Sequence, residues 1–194
     1  MHAEIVSLDD FYLGPDETPV LPNGEKDYET VDALDIALIQ DCLNSVIHSG
    51  SCLLPEYDFT TKTRTLAARK LDVSDRGFVI MEGLHALNPV FTRDLPEGST
   101  IKLYVSVKQQ IKDINGEVIS PMDIRLVRRI SRDIRSRDTM PERTIAMWDN
   151  VVAGEDKYIR PYRLSADYTV NSIHIYERVC CAACHSASAR DPGG

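Results

Sequence analysis

Apolar residues change their spacing along the chain, and each change marks an element. Ile5 to Ser7 is a short apolar start that runs into Asp9 and Asp10, which predicts a strand ending in an acidic loop. Gly14 to Lys26 is rich in Pro, Gly, Asp and Glu and predicts an exposed loop. From Val31 to Ser49 the apolar positions take helical spacing, with Val31, Leu34, Leu38, Cys42 and Val46 along one line and Ile39, Leu43 and Ile47 beside it. Thr30 or Asp32 is placed to cap this helix and Gly50 to end it. Pro55 to Arg69 is polar and without period, which predicts irregular structure around Tyr57-Asp58-Phe59. Phe78 to Met81 is a continuous apolar run that stops at Glu82-Gly83, as in a strand buried on both faces of a parallel sheet. Ile101 to Val107 predicts another strand, Asp123 to Arg137 a strongly basic helix, Thr144 to Ala153 a helix, and Ala166 to Asn171 a last short strand.

Strands alternating with helices predict an α/β fold with a mostly parallel sheet. There is no internal repeat. The 194 residues suffice for one domain with its own core. From Arg178 onward the chain is Ala, Ser, Cys, Arg and Gly without an apolar period, and a disordered tail is expected there.

Charge narrows the possible partners. The net charge of −8 argues against broad binding of nucleic acid or an anionic membrane, which needs a basic surface. No run of about 18 apolar residues is present, and the first residues lack the pattern of a signal peptide. Cys42 and Cys52 stand apart, while Cys180, Cys181 and Cys184 crowd the tail. That is no disulfide framework, and a reducing cytoplasm is the expected location. Cys181-Ala-Ala-Cys184-His185 fits the C-x-x-C-H pattern of covalent haem attachment, but so short a match without an export signal reads as chance.

Three features bear on chemistry. Glu82 ends an apolar strand, and ligands of open α/β sheets sit beyond the carboxyl ends of strands. A carboxylate there suits Mg²⁺, or it merely opens a solvent loop. Asp9 and Asp10 end another strand, where a carboxylate can orient or deprotonate an attacking hydroxyl, or serve as a turn. Arg125, Arg128, Arg129, Arg132, Arg135 and Arg137 crowd one helix, and Arg125, Arg129 and Arg132 share a face. Arginine grips phosphate through a planar fork. The competing readings are a solvated face paired with Asp123, Asp133 and Asp138, and an RNA-binding stripe that the acidic whole disfavours.

Four segments in order resemble a known family: Ser7-Leu8-Asp9-Asp10-Phe11-Tyr12, then Tyr57-Asp58-Phe59 with Arg64, then Met81-Glu82-Gly83, then the run from Arg125 to Asp133. Together they resemble the uridine kinase branch of the uridine kinase and phosphoribulokinase family, over roughly residues 4 to 178. The resemblance implies a P-loop NTPase-like three-layer α/β fold, with residues 1–177 as the kinase-like domain and 178–194 as the tail. It implies phosphoryl transfer from ATP to the 5′-hydroxyl of a pyrimidine nucleoside, with Mg²⁺. It makes Asp9 the general base and lines the nucleoside pocket with Tyr12, Asp35 and Tyr57. Glu82 becomes the acidic residue near Mg²⁺, and Arg129, Arg132 and Arg137 close over the phosphates. Asp167 falls near the adenine end. Partners are then a nucleoside and ATP, with self-association suggested and no nucleic acid or membrane.

The sequence also departs from the family pattern. Lys62 stands among the substrate-binding positions where uridine–cytidine kinases often carry histidine, and Met147 stands where they often carry glutamine. Ser136-Arg137-Asp138-Thr139 replaces Arg-Gly-Arg-Asp. These changes leave open a kinase of the same fold with another acceptor, such as a phosphorylated sugar or pantothenate. The G-x-x-x-x-G-K-[ST] phosphate loop does not occur in the sequence. The expectation is an N-terminally truncated member lacking the family's first strand, phosphate loop and first helix. The strands near Ile5 and Phe78 would then lose their link to those near Ile101 and Asp167, and activity would be low or absent. A non-catalytic, nucleotide-binding regulator is the remaining alternative.

Overall fold

Eight strands and four α-helices order the chain in a computed structural model, which describes residues 2–73, 77–107, 110–112 and 115–173. They are β1 (Ala3–Ser7), α1 (Ile36–Ser49), β2 (Ser51–Asp58), β3 (Thr63–Asp72), β4 (Phe78–Glu82), β5 (Leu103–Ser106), β6 (Ile111–Lys112), β7 (Val118–Ile119), α2 (Pro121–Ser136), α3 (Pro141–Ala146), α4 (Trp148–Tyr158) and β8 (Tyr168–Asn171). The tail expected to be disordered, with its C-x-x-C-H match, lies outside the described residues.

The chain divides into two units: Met1–Lys102 with Asp149–Ala166, and Leu103–Trp148 with the chain from Asp167. In the first unit β1 and β4 run parallel, with Ala3 opposite Phe78 and Ser7 opposite Glu82. The inward residues of this pair, the turn after β1, α1 and the hairpin β2–β3 close a core of Val6, Leu8, Phe11, Leu34, Ile39, Cys42, Leu54, Leu71 and Phe91. In the second unit β5 and β8 run parallel, with Leu103 opposite Tyr168 and Ser106 opposite Asn171. Among its described residues the core is Val107 and Ile124, flanked by Ile119 and Ile173.

Each parallel pair is a separate two-stranded sheet, and no strand among the described residues bridges them. This bears on the expectation that β4 is buried on both faces. Val79 and Met81 pack on the core, but Phe78 and Ile80 are each 44% exposed. Ile5 shares that uncovered face because it pairs with Ile80. Leu103, Val105, Tyr168 and Val170 form a similar exposed apolar face on the β5–β8 pair. The apolar run was correctly a strand, but only one of its faces packs on the core.

Three further segments differ from expectation. Pro55 to Arg69 is not irregular; it belongs to an antiparallel hairpin pairing Ser51 with Asp72 and Asp58 with Thr63. Its pattern is masked because most of β3 faces solvent and because the register shifts between Leu54 and Glu56, around Pro55, which cannot donate a ladder hydrogen bond. The helix expected from Val31 starts later. Val31–Ala33 is one 3₁₀ turn capped by Thr30, and α1 begins after Asp35, whose carboxylate accepts the Leu38 N–H at 3.0 Å. Gly50 ends α1 at φ 72°, as its position predicts. The segment Thr144 to Ala153 breaks at Met147 into α3 and α4.

Candidate functional site

Residues 7 to 12 form the acidic turn that follows β1 in the first unit. β1 ends at Ser7 and the chain tightens into the 3₁₀ turn Leu8–Phe11, which buries Leu8 and Phe11 and leaves Asp9 and Asp10 half-buried on its outer side. Two apolar anchors at the ends of four residues thus fix both carboxylates. Burial pushes the Asp10 carboxyl above its ordinary value, against the pull of the Tyr57 backbone N–H; Glu56 raises it further and Arg69 lowers it. Gly83 follows Glu82 at φ 149°, and a side chain there would meet Leu8 Cβ at 2.8 Å. The strand end and the acidic turn therefore touch through a glycine.

Tyr12 leaves this turn into a cluster of rings. Its centroid lies 5.6 Å from that of Tyr57, 6.0 Å from Tyr28 and 6.2 Å from Phe59. Tyr57 and Phe59 lie 5.1 Å apart and nearly perpendicular. The Tyr12 hydroxyl donates to the Tyr28 carbonyl at 3.2 Å. The backbone brings Asp35 alongside, since Leu13 N–H donates to Ala33 O and Asp35 N–H donates to Phe11 O, both at 2.9 Å. Arg64 sits opposite Tyr57 in the hairpin and donates to Asp35 Oδ2 at 2.9 Å. Asp35 thus caps α1 with one oxygen and holds Arg64 with the other. Lys62 stands at the exposed hairpin turn with φ 56°, outside the ring contacts. Asp58 shapes that turn by accepting the Thr60 and Thr61 backbone N–H groups, which hold its carboxyl below the ordinary value.

Glu82 ends β4 exposed, and the Ser7 hydroxyl donates to its carboxylate. The parallel register sets Ser7 directly beside Glu82. No group of three or more His, Cys, Asp or Glu among the described residues is arranged to hold a metal alone. A single oxygen donor at a strand end fits Mg²⁺, which takes one or two carboxylates and completes its shell with water and phosphate oxygens. His85, three residues on, is buried against Tyr158 with its ring centroid 6.0 Å away, and its Nδ1 has no hydrogen-bond partner. Burial pushes its imidazole below the ordinary value, opposed by Glu29, Asp9 and Asp27.

The second unit carries the arginines. Ser120 and Asp123 close a reciprocal cap at the start of α2, so Asp123 serves the helix end rather than an arginine partner. Arg129 and Arg132 converge on Asp133 near the C-terminus of α2. Arg128 faces elsewhere and donates to the Ser172 carbonyl at 2.8 Å, tying α2 to the chain after β8. Arg137 is the C-cap of α2, and Asp167 lies exposed just before β8.

The structure thus brings Asp9, Tyr12, Asp35, Tyr57 and Glu82 into the first unit, with Lys62 at its edge, and Arg129, Arg132, Arg137 and Asp167 into the second. Sequence reasoning missed Tyr28 and Phe59 as members of the ring cluster, Ser7 as the partner of Glu82, and Thr144 as a partner of Asp133. Phe59 lies in the Tyr-Asp-Phe motif; Tyr28 and Thr144 carry no local signal.

Comparison with known proteins identifies the family of the chain. The model of the Phosphoribulokinase / Uridine kinase family matches residues 5–177. A uridine kinase of Lactobacillus helveticus is 28% identical over 167 residues, covering 86% of this chain and 71% of its own length. A uridine kinase of Saccharomyces cerevisiae is 26% identical over 172 residues, covering 87% of this chain and 31% of its own. Among solved structures, a candidate fructose transport system kinase from Silicibacter sp. TM1040 superposes with TM-score 0.59 at 20% identity, covering 87% of this chain and 74% of its own. A possible uridine kinase from Bacillus stearothermophilus superposes with TM-score 0.52 at 14% identity, covering 87% and 72%.

Proposed function

Because the chain belongs to the phosphoribulokinase/uridine kinase family, and is by family an ATP-dependent phosphotransferase, we propose that its acceptor is the 5′-hydroxyl of a pyrimidine nucleoside, uridine or cytidine. The observation that carries this reading is the ring cluster of Tyr12, Tyr28, Tyr57 and Phe59 next to the Asp35–Arg64 pair, on the same turn as Asp9. Flat rings suit a nucleobase, and the polar pair suits a sugar. In this reading Asp9 takes the proton of the attacking hydroxyl as its oxygen bonds to the γ-phosphorus and the bond to the ADP oxygen breaks. Tyr12 and Tyr57 hold the base, Asp35 faces the ribose, and Lys62 reads the outer edge of the base. Arg129 and Arg132 spread over the phosphate charge, and Arg137 and Asp167 attend the nucleotide. Glu82 with Ser7 would hold Mg²⁺, which when bound shields the phosphate oxygens. The cell compartment that fits is the cytoplasm; no helix among the described residues is long and apolar enough to cross a membrane.

One observation favours a second reading, a nucleotide-binding protein without turnover: the sequence contains no G-x-x-x-x-G-K-[ST] loop. Calorimetry with uridine and with Mg·ATP, beside an assay of ADP release, decides between the two. Uridine-dependent ADP release that falls by a factor of about 10² to 10⁴ in Asp9→Asn is the expected result for the kinase. Nucleotide binding without release supports the second reading. No binding of uridine or cytidine, with or without ATP, overturns the pyrimidine acceptor.

A further inference from the structure

Asp133 is a buried carboxylate of the arginine-bearing unit with several partners, and nothing in a phosphate-gripping role for the arginines explains it. Its side chain is 6% exposed. Oδ1 accepts from Arg132 Nε at 3.1 Å and Nη2 at 3.0 Å. Oδ2 accepts from the Thr144 hydroxyl at 3.2 Å and stands 3.6 Å from Arg129 Nε. Its backbone carbonyl accepts the N–H groups of Arg137 at 3.0 Å and Thr139 at 3.2 Å. One residue therefore touches all three arginines assigned to the phosphates, and through Thr144 it also holds α3.

The way the contacts are divided points to orientation. Arg132 gives the carboxylate only the Nε–Nη2 edge of its guanidinium, and both donors converge on one oxygen. Nη1 takes no part in this contact, and the side chain remains 47% exposed. A guanidinium clamped by one edge presents the other edge in a set direction, which bidentate recognition of phosphate requires. Stability alone is a weak reason for such an arrangement, because a buried ion pair is often no better than apolar residues of the same volume.

We propose that Asp133 is a positioning residue for phosphate recognition: it aims Arg129 and Arg132, and it sets the helix end that carries Arg137. This rests on the reading that these arginines grip phosphate. Charge and position here make opposite predictions. Removing a carboxylate beside an anion site strengthens anion binding if only charge matters, and weakens it if the carboxylate aims the arginines.

The test uses the whole 194-residue chain, tripolyphosphate as probe, calorimetry for affinity, and nitrogen-15 NMR of the arginine Nε–H groups. Asp133→Asn keeps the shape and removes the charge. The expected result is a loss of affinity of about tenfold, with the Arg132 Nε–H signal shifting to the position of a solvent-exposed arginine. Unchanged or tighter binding by Asp133→Asn overturns the proposal while leaving the phosphate reading intact. No binding by the parent chain overturns both. If Asp133→Asn fails to fold by circular dichroism, Thr144→Val decides. It leaves every charge in place and removes one anchor from Oδ2, so affinity is expected to fall about two- to threefold; full affinity in that variant overturns the proposal.

Discussion

The two units solve the same problem with different forces. In the first, the acidic turn, the ring cluster and the Asp35–Arg64 pair rest on nine buried apolar residues drawn from strand, turn, helix and hairpin. In the second, the buried apolar residues among those described are Val107 and Ile124, and Asp133 and Ser172 are among the partners of the arginines on α2. Apolar burial is non-directional and roughly additive in area, so it makes a firm platform for flat rings. Charge-assisted hydrogen bonds are directional and fall off with solvation and salt, so they suit side chains that must meet a charged ligand. In the proposed function an acceptor would be held by shape and a phosphate by aim.

The most severe way to break this contrast is to empty the platform. Phe11 is fully buried under the acidic turn, and Phe11→Ala should destabilise the first unit by about 3–5 kcal/mol. Urea unfolding followed by circular dichroism measures it; a loss below about 1 kcal/mol would mean the turn does not depend on apolar burial. A finer cut falls on Asp35, which belongs to both styles. Asp35→Ala removes the α1 cap and the partner of Arg64 and should cost about 2 kcal/mol, while Asp35→Asn keeps a cap oxygen and should cost about 1. Equal losses in the two variants would assign the whole effect to the ion pair.

In the second unit Asp138 sits at φ 46° just after α2, a left-handed position that glycine fills at less cost. Asp138→Gly should raise stability by about 0.5–1 kcal/mol, seen as a higher melting temperature. A lower melting temperature would show that the Asp138 side chain contributes more than its backbone costs.

The smallest effect concerns His85. Its folded pKa lies below the ordinary 6.5, so on acidification the unfolded chain takes up this proton first. Stability present above about pH 6.5 is therefore lost as pH falls through the folded value. Glu29, Asp9 and Asp27 oppose the shift, and the Tyr158 ring packs beside the imidazole. His85→Gln should flatten the dependence of melting temperature on pH between about 7 and 5 relative to the parent. Parallel profiles would remove His85 from the acid response.

Much of this was legible along the chain. Periodicity located α1 and α2, the apolar runs located β1, β4 and β5, and Gly50 marked a helix end, because each depends on neighbours within a few residues. The hairpin β2–β3 was not legible, because its outer strand faces solvent and carries no alternation, and Pro55 interrupts its partner. Asp35 was assigned to the pocket by resemblance, but its capping of α1 and its hold on Arg64 emerged only from the fold.

By itself the sequence determined most of the elements outside the β2–β3 hairpin, the family and the identity of the candidate side chains: the acidic pair after β1, the glutamate ending β4 and the arginines of α2. Those depend on local pattern and on motif order. Only the tertiary structure decided which groups meet. It set Ser7 against Glu82 through strand register, gathered Tyr28 and Phe59 around Tyr12, and made Asp133 the shared partner of the arginines. It also left one apolar face of each parallel pair uncovered, where for β4 the pattern alone implied burial on both sides. The physical reason is the same in each case. A residue's type states what it is able to bind, but its partner is chosen by the packing of segments far apart in the chain.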